Sequence, residues 1–461
     1  MNYIKKAMIF VSTAGAVAIA IATPEVGNVT MTQNAMSGRL VTITYTLTED
    51  AVVTLDVMTN ATPNAATGWA SIGGEAICNA QGAVWRKVTS AEADGQGKYT
   101  ITWRPDNSWT DELGRGFKVA DGCAKAVVTA WALDNTPNYM VVDLAVNNTV
   151  RYYPSVDFLP GSEIGQKGAV TNNASYKTTK LLMRKIMAAG VEWTMGSSAS
   201  ETLRNANETA HVVTLTNNYY IGVFEMTQTQ WKNVAPGSSA AARFPVDGAM
   251  RPMEQVSYNE IRNNANSTAV NASYNWPAAP NPNSFLGLLR AKTGLDFDLP
   301  SEAQWEFAAR AGNGSGFWND GSAVMNLHWD DTNMMRLGRF KTNNPGGNAT
   351  TATFAPTAGG TAVVGSYAPS AWGLYDMHGN VFEWCLDFFE ADITGNGGKV
   401  NIDPANSTKT LSGATVSDRV LRSGWYGTTA TDCRSANRIS FGPENRTHHT
   451  GFRVICTAGL R

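Results

Sequence analysis

Apolar and polar positions alternate with a period of two over residues 40–45 (LVTITY), 52–57 (VVTLDV), 98–103 (KYTITW) and 126–132 (AVVTAWA). That spacing puts one face of a strand in a core and the other in water. Gly, Asn and Asp clusters separate the runs, so residues 26–150 are expected to form a small β-sandwich. Residues 151–178 carry Pro154 and Pro160 with little apolar period and are expected to be a linker. Two further strand patterns, 181–187 and 191–195, are expected to open a second domain spanning 179–461.

The second domain contains three helix starts of one design. Thr227 with Gln230, Ser257 with Glu260 and Ser301 with Gln304 each have capping-box spacing. The third is expected to start a helix that buries Trp305, Ala308 and Ala309 and stops at Gly312. Glu306 and Arg310, four apart on it, are expected to form a structural ion pair. Residues 263–283 look like an insertion, and 342–365 is a long Gly/Thr/Ala/Asn-rich segment with little period.

One twelve-residue stretch, Gly373 to Trp384, stands apart. Gly379-Asn380 suits a tight turn because both residues tolerate positive φ. After it, Val381, Glu383 and Cys385 alternate with Phe382, Trp384 and Leu386, the period of a strand. Asp376 and Glu383 flank the turn, and carboxylates mixed with backbone carbonyls are what a hard cation such as Ca²⁺ takes.

Composition narrows the classes. A chain of 461 residues suggests two or three domains. Charged residues at 16% with 43 Gly and 14 Trp point to a loop-rich, β-leaning, soluble protein. A net charge of −2 gives no basic field for nucleic acid. Lys5-Lys6, the apolar run 7–22 and a small-x-small ending read as a signal peptide over 1–22. The run is short for a membrane span, and no later segment is long and apolar enough. The protein is therefore expected to be exported (secreted, periplasmic or on the cell surface) and not membrane-spanning after cleavage. Export permits disulfides: Cys78 could pair with Cys123, while Cys385, Cys433 and Cys456 are an odd set.

The stretch 373–384 closely resembles the GLYDMxGNVWEW signature of the sulfatase-modifying-factor family, which includes the formylglycine-generating enzymes. Residues 220–231, 299–312 and 419–453 resemble other segments of that family in the right order. The resemblance implies an α+β, C-type-lectin-like fold for the second domain. It also implies a calcium site at the Asp376 and Glu383 side chains with the Gly379 and Val381 carbonyls. A second site would begin at Asn326 and Leu327, with its remaining ligands unmapped. The first domain resembles FlgD-type immunoglobulin-like modules.

The resemblance also bears on catalysis. Formylglycine-generating enzymes oxidise a substrate cysteine in a CxPxR motif, using O₂ and copper(I) held by two cysteines. Soft thiolate sulfur selects Cu(I). Those cysteines follow an RGGSY-type motif. The matching residues 422–432 here contain none, and Ser423 and Trp425 depart from the motif. Cys433 is the only candidate catalytic thiol, with Cys385 or Cys456 its only conceivable partners. The iron-dependent enzymes of the wider family need clustered histidines. Of His211, His328, His378, His448 and His449 only the last two adjoin, and sequence neighbours do not share a face.

Residues 425–450 mix aromatic and polar groups in the manner of adaptable binding sites. By resemblance this stretch lines the family's ligand cleft. In some bacterial and phage systems retroelements diversify it between a CRSAxR core and a GFR end, matched here by Cys433 to Arg438 and Gly451 to Arg453. Trp425, Tyr426, Thr428, Asp432, Phe441, Asn445, His448 and His449 are the candidate ligand-binding residues. The expectation is a calcium-stabilised, non-catalytic scaffold for a peptide, glycan or surface ligand. The alternatives are a copper-dependent formylglycine-generating oxidase and a structural protein of the cell envelope.

Overall fold

A computed structural model describes residues 23–34, 39–111, 113–117, 119–146, 149–161, 169–201, 203–245, 248–267, 272–274, 277–312, 331–345, 359–394, 401–402 and 418–459. The expected signal peptide and the candidate metal ligands Asn326 and Leu327 lie outside the described residues.

The N-terminal unit is two antiparallel sheets. One runs Val26–Gln33, Val41–Leu47, Tyr99–Trp103 and Gln81–Gly82 in spatial order; the other is built on Ala51–Thr59, flanked by Ala124–Trp131, Arg86–Val88 and Ala70–Ser71. Alternation explains the packing: Val41, Ile43 and Tyr45 are buried, while Thr42 and Thr44 between them are less so. With Leu55, Val57, Ile101 and Trp103 they fill one core between the sheets.

The expected boundary at residue 150 is corrected. Tyr139–Asp143 and Val150–Tyr153 join Lys180–Ile186, so they belong to the second unit's sheet. Alternation marks a strand but not the sheet it enters. The expected linker 151–178 accordingly holds the end of a strand and two 3-10 turns, Val156–Phe158 and Ala174–Lys177. The two units share a core: Tyr153 stacks on Trp85 at 5.1 Å, and Leu182, Val223 and Tyr375 of the second unit pack into the first unit's cluster. The Cys78–Cys123 bridge does not form, and all five cysteines are free thiols.

The second unit is organised by a six-stranded antiparallel sheet ordered Val150–Tyr153, Tyr139–Asp143, Lys180–Ile186, Tyr219–Gly222, Ile455–Thr457, Phe297–Asp298. All three capping boxes form, on the helices Gln228–Val234, Tyr258–Arg262 and Glu302–Arg310. The last helix ends one residue earlier than expected, with Ala311 itself in the left-handed region at φ 48°. Trp305, Ala308 and Ala309 are buried as their spacing requires. A smaller sheet, Ile439–Phe441, Arg419–Arg422, Phe382–Phe388 and Thr450–Gly451, carries the 373–384 signature and the C-terminal stretch together.

Candidate functional site

The turn at Gly379-Asn380 forms with φ of 86° and 66°. A Cβ on Gly379 would lie 2.1 Å from the Arg339 carbonyl oxygen, so glycine is required there on two counts. Asn380 is buried and donates from Nδ2 to Glu225 Oε2 at 2.6 Å, while its Oδ1 accepts from Ala362 N at 2.7 Å. The turn thus delivers the strand Phe382–Phe388 into the core with Glu383 fully buried.

The expected calcium set does not fit this geometry at Glu383. Arg453 donates Nε to Glu383 Oε2 and Nη2 to Oε1, both at 2.6 Å, and Trp305 Nε1 adds a third bond to Oε2 at 2.7 Å. Both carboxylate oxygens face a permanent cation. The Gly379 carbonyl accepts the Ser423 hydroxyl at 3.0 Å, and the same hydroxyl lies 3.4 Å from the Asp376 carbonyl. Asp376 accepts Gly365 N at 2.6 Å through Oδ2, leaving only Oδ1 without a hydrogen-bond partner among the described residues. Asp376 Oδ1 is thus the one side-chain oxygen of the expected set left open, with the Val381 carbonyl its remaining backbone member, and together they are far short of the six to eight oxygens that Ca²⁺ takes. Burial, with Glu383 nearby, pushes the Asp376 carboxyl above its ordinary range, against the Gly365 amide and the positive charges of Arg453 and Lys177.

The cysteines named for a copper pair do not come together. Cys433 is fully buried, and burial pushes its thiol far above the ordinary range. It packs with Met334, Leu337, Phe340 and Ala430, whereas Cys385 and Cys456 each sit in a different hydrophobic cluster. Its Sγ meets Thr428 Oγ1 at 3.5 Å, and a Cβ on Gly424 would lie 2.5 Å from it. The three thiols are thus spread over three clusters and do not fit a two-thiolate copper site in this structure.

The expected ligand-binding residues separate into two groups. Trp425, Tyr426, His448, His449 and Phe441 come together. The Trp425 and His449 rings stack at 4.6 Å, Trp425 meets Tyr426 edge-on at 4.8 Å, and Phe441 meets His449 edge-on at 5.9 Å. The Tyr426 hydroxyl and His448 Nδ1 are 2.5 Å apart. His448 is exposed, Trp425 and His449 are half-buried and Tyr426 is buried. Burial, helped by His448, depresses His449 to about 4, so its ring is neutral at physiological pH.

The other three do structural work. Thr428 accepts Trp425 N at 3.1 Å and donates to its carbonyl at 2.9 Å, holding the turn that presents the tryptophan. Asp432 caps the 3-10 turn Ala430–Cys433 by accepting from the Thr429 hydroxyl at 2.9 Å and its amide at 3.3 Å. Asn445 is an exposed turn residue with its amide bonded to the Gly442 carbonyl at 3.0 Å.

Two residues of the cluster carried no sequence signal. Phe244, in a stretch without apolar period, meets Tyr426 edge-on at 5.5 Å. Glu254 is fully buried, and burial raises its carboxyl to about 7 against the opposing bonds from the Arg243 and Phe244 amides.

Residues 172–458 match the family model described as the sulfatase-modifying factor enzyme 1-like domain. A formylglycine-generating enzyme of Thermomonospora curvata is 32% identical over 163 residues, which are 34% of this chain and 48% of that enzyme. The chain spans about half the length of that curated relative. Two solved structures are similar at 22% identity over 60% of this chain. PvdO from Pseudomonas aeruginosa aligns with a TM-score of 0.45 over 94% of its length, and Treponema denticola variable protein 1 with 0.44 over 96%.

Proposed function

The chain belongs to the sulfatase-modifying factor family through residues 172–458, and from that premise we propose that it is a non-catalytic member that binds a ligand. The observation that carries this reading is what occupies the segment after Ser423-Gly424. Where the resemblance calls for a pair of copper-binding thiols there is an aromatic and histidine cluster, and the one nearby thiol is sealed in a core. The ligand is a peptide, a glycan or another surface group, held against Trp425, Tyr426, His448 and His449. Rings held in fixed packing give contact area at low entropic cost, the property that makes aromatic residues recurrent at binding surfaces.

The N-terminal two-sheet unit acts as an immunoglobulin-like packing module that supports the binding unit, a role favoured by their common core. The protein is exported. The support for that is the pattern of residues 1–22, with Lys5-Lys6 ahead of an apolar run and a small-x-small ending.

The test is to load the mature protein with Cu(I), offer a CxPxR peptide under O₂ and follow aldehyde formation by mass spectrometry. No aldehyde is expected from folded protein. Aldehyde formation would overturn the reading. In parallel, peptide and glycan arrays should give binders whose affinity drops in Trp425→Ala.

A further inference from the structure

Several buried carboxylates are matched to arginines, Glu383 to Arg453, Glu306 to Arg422 and Glu208 to Arg434, while Glu225, Asp376 and Glu254 have no such salt bridge among the described residues. Of these three, Glu254 is bonded to Phe244 of the aromatic cluster. It is fully buried, its Oε1 accepts Phe244 N at 2.9 Å, and its Oε2 has no hydrogen-bond partner among the described residues. No Lys, Arg or His nitrogen of the described residues forms a salt bridge with it. The ring of Phe244, whose amide it accepts, meets Tyr426 at 5.5 Å, so the carboxylate adjoins the aromatic cluster. Above it Tyr426 meets Phe244 edge-on, and Trp425 stands edge-on to Tyr426.

A buried carboxylate without a salt-bridge partner projects a negative field in a poorly solvated setting. Aromatic faces carry negative charge density and attract cations, by about 0.5–1 kcal/mol when exposed and 2 or more when desolvated. The two effects have the same sign at the same place. An anion would be repelled by both, and a neutral group would leave the buried charge unanswered. His449 is neutral at physiological pH and offers no internal cation. Arg243 is the nearby cation, and its side chain is exposed to solvent instead of closed onto Glu254.

We propose that this surface selects an organic cation, namely a lysine or arginine side chain of a peptide partner seated on Trp425, Tyr426 and Phe244 above the Glu254 carboxylate. The inference rests on the binding reading above and names its ligand class.

The experiment titrates the mature full chain at pH 8 with four capped peptides that differ at one central residue, Lys, Arg, Gln or Glu. Binding is read by calorimetry and by Trp fluorescence. The Lys and Arg peptides should bind and the Gln and Glu peptides should not. Glu254→Gln should weaken the Lys peptide by about tenfold or more, a loss of about 1.4 kcal/mol, without lowering Tm. Trp425→Ala should weaken it comparably, and Arg243→Ala should leave it unchanged or tighter. Equal binding of the Gln or Glu peptide, full affinity in Glu254→Gln, or no binding by any peptide would overturn the proposal. If the neutral or acidic peptide binds and Trp425→Ala abolishes it, the binding surface stands and only the cationic preference falls. Aldehyde in the copper assay would remove the binding reading itself.

Discussion

Arg453 closes on Glu383 through two parallel bonds of 2.6 Å, with both side chains at 0% exposure. The guanidinium spends its other donors on the Gly222 and Tyr375 carbonyls, each at 3.0 Å. One arginine therefore ties the strand Phe382–Phe388 to the six-stranded sheet and to the signature loop. Removing one partner of such a pair leaves an uncompensated buried charge, which costs about 3–5 kcal/mol. Glu383→Ala should lose that much in urea unfolding. Arg453→Lys should also be damaging, because an ammonium cannot reproduce the two-pronged contact. A loss below about 1 kcal/mol in either variant would show that the pair is dispensable.

Calcium should have little to add to this arrangement. Its resemblance-derived carboxylate is held by Arg453 and Trp305, and the Gly379 carbonyl by Ser423. Dialysis against EDTA is expected to leave Tm unchanged, and elemental analysis of purified protein to find no stoichiometric calcium. A Tm that rises on calcium addition, and rises no further in Glu383→Gln, would mean that the Arg453 pair opens to admit the ion.

Ser423 holds two opposing effects in one residue. Its φ of 86° lies in the left-handed region that favours glycine, yet its hydroxyl pins the Gly379 carbonyl. Ser423→Ala keeps the backbone strain and loses the bond, at an expected cost of about 1–2 kcal/mol. Ser423→Gly loses the same bond but relieves the strain, so it should sit close to wild type. Chemical denaturation of the two variants side by side checks the order. If alanine proves the milder change, the hydroxyl is not what holds the turn.

Local hydrogen-bonding logic was the most legible part of the sequence. The three capping boxes at Thr227, Ser257 and Ser301 formed because cap and partner lie three residues apart and need nothing distant. Strand alternation was equally readable, but it could not say that Tyr139–Asp143 pairs with Lys180–Ile186 and carries Val150–Tyr153 with it into the second unit's sheet. The Glu306–Arg310 pair was visible at helical spacing, at 2.7 Å in the structure, whereas the additional bond from Arg422 spans 116 residues and was not. Glu383 looked like a metal ligand because its actual cation lies 70 residues downstream. Asp432 had a readable alternative: Thr429-Ala430-Thr431-Asp432 has the spacing of a capping box, and that is the role it fills. Phe244 and Glu254 gave no signal, since only the fold brings Phe244, with Glu254 bonded to it, against Tyr426.

The pH dependence of stability isolates Glu254. Burial raises its folded carboxyl from 4.5 to about 7. Below about pH 4.5 the group is protonated both folded and unfolded, so it carries no penalty. As pH rises towards 7 the unfolded chain ionises first, and the folded state loses stability progressively. Above 7 both states are ionised and the folded state bears the full cost of a buried charge. The charged or titratable neighbours that face it are Arg243, Tyr426 and, through Tyr426, His448. They remain in place in Glu254→Gln, so the difference between variant and wild type reports Glu254 alone. That difference in Tm should be near zero at pH 4.5, grow in favour of glutamine through the window and level off above pH 7. A difference that is flat across the range, or that favours wild type at pH 8, would mean that a partner inside the folded chain already neutralises the carboxylate. The same result would remove the reason for a ligand to supply the cation.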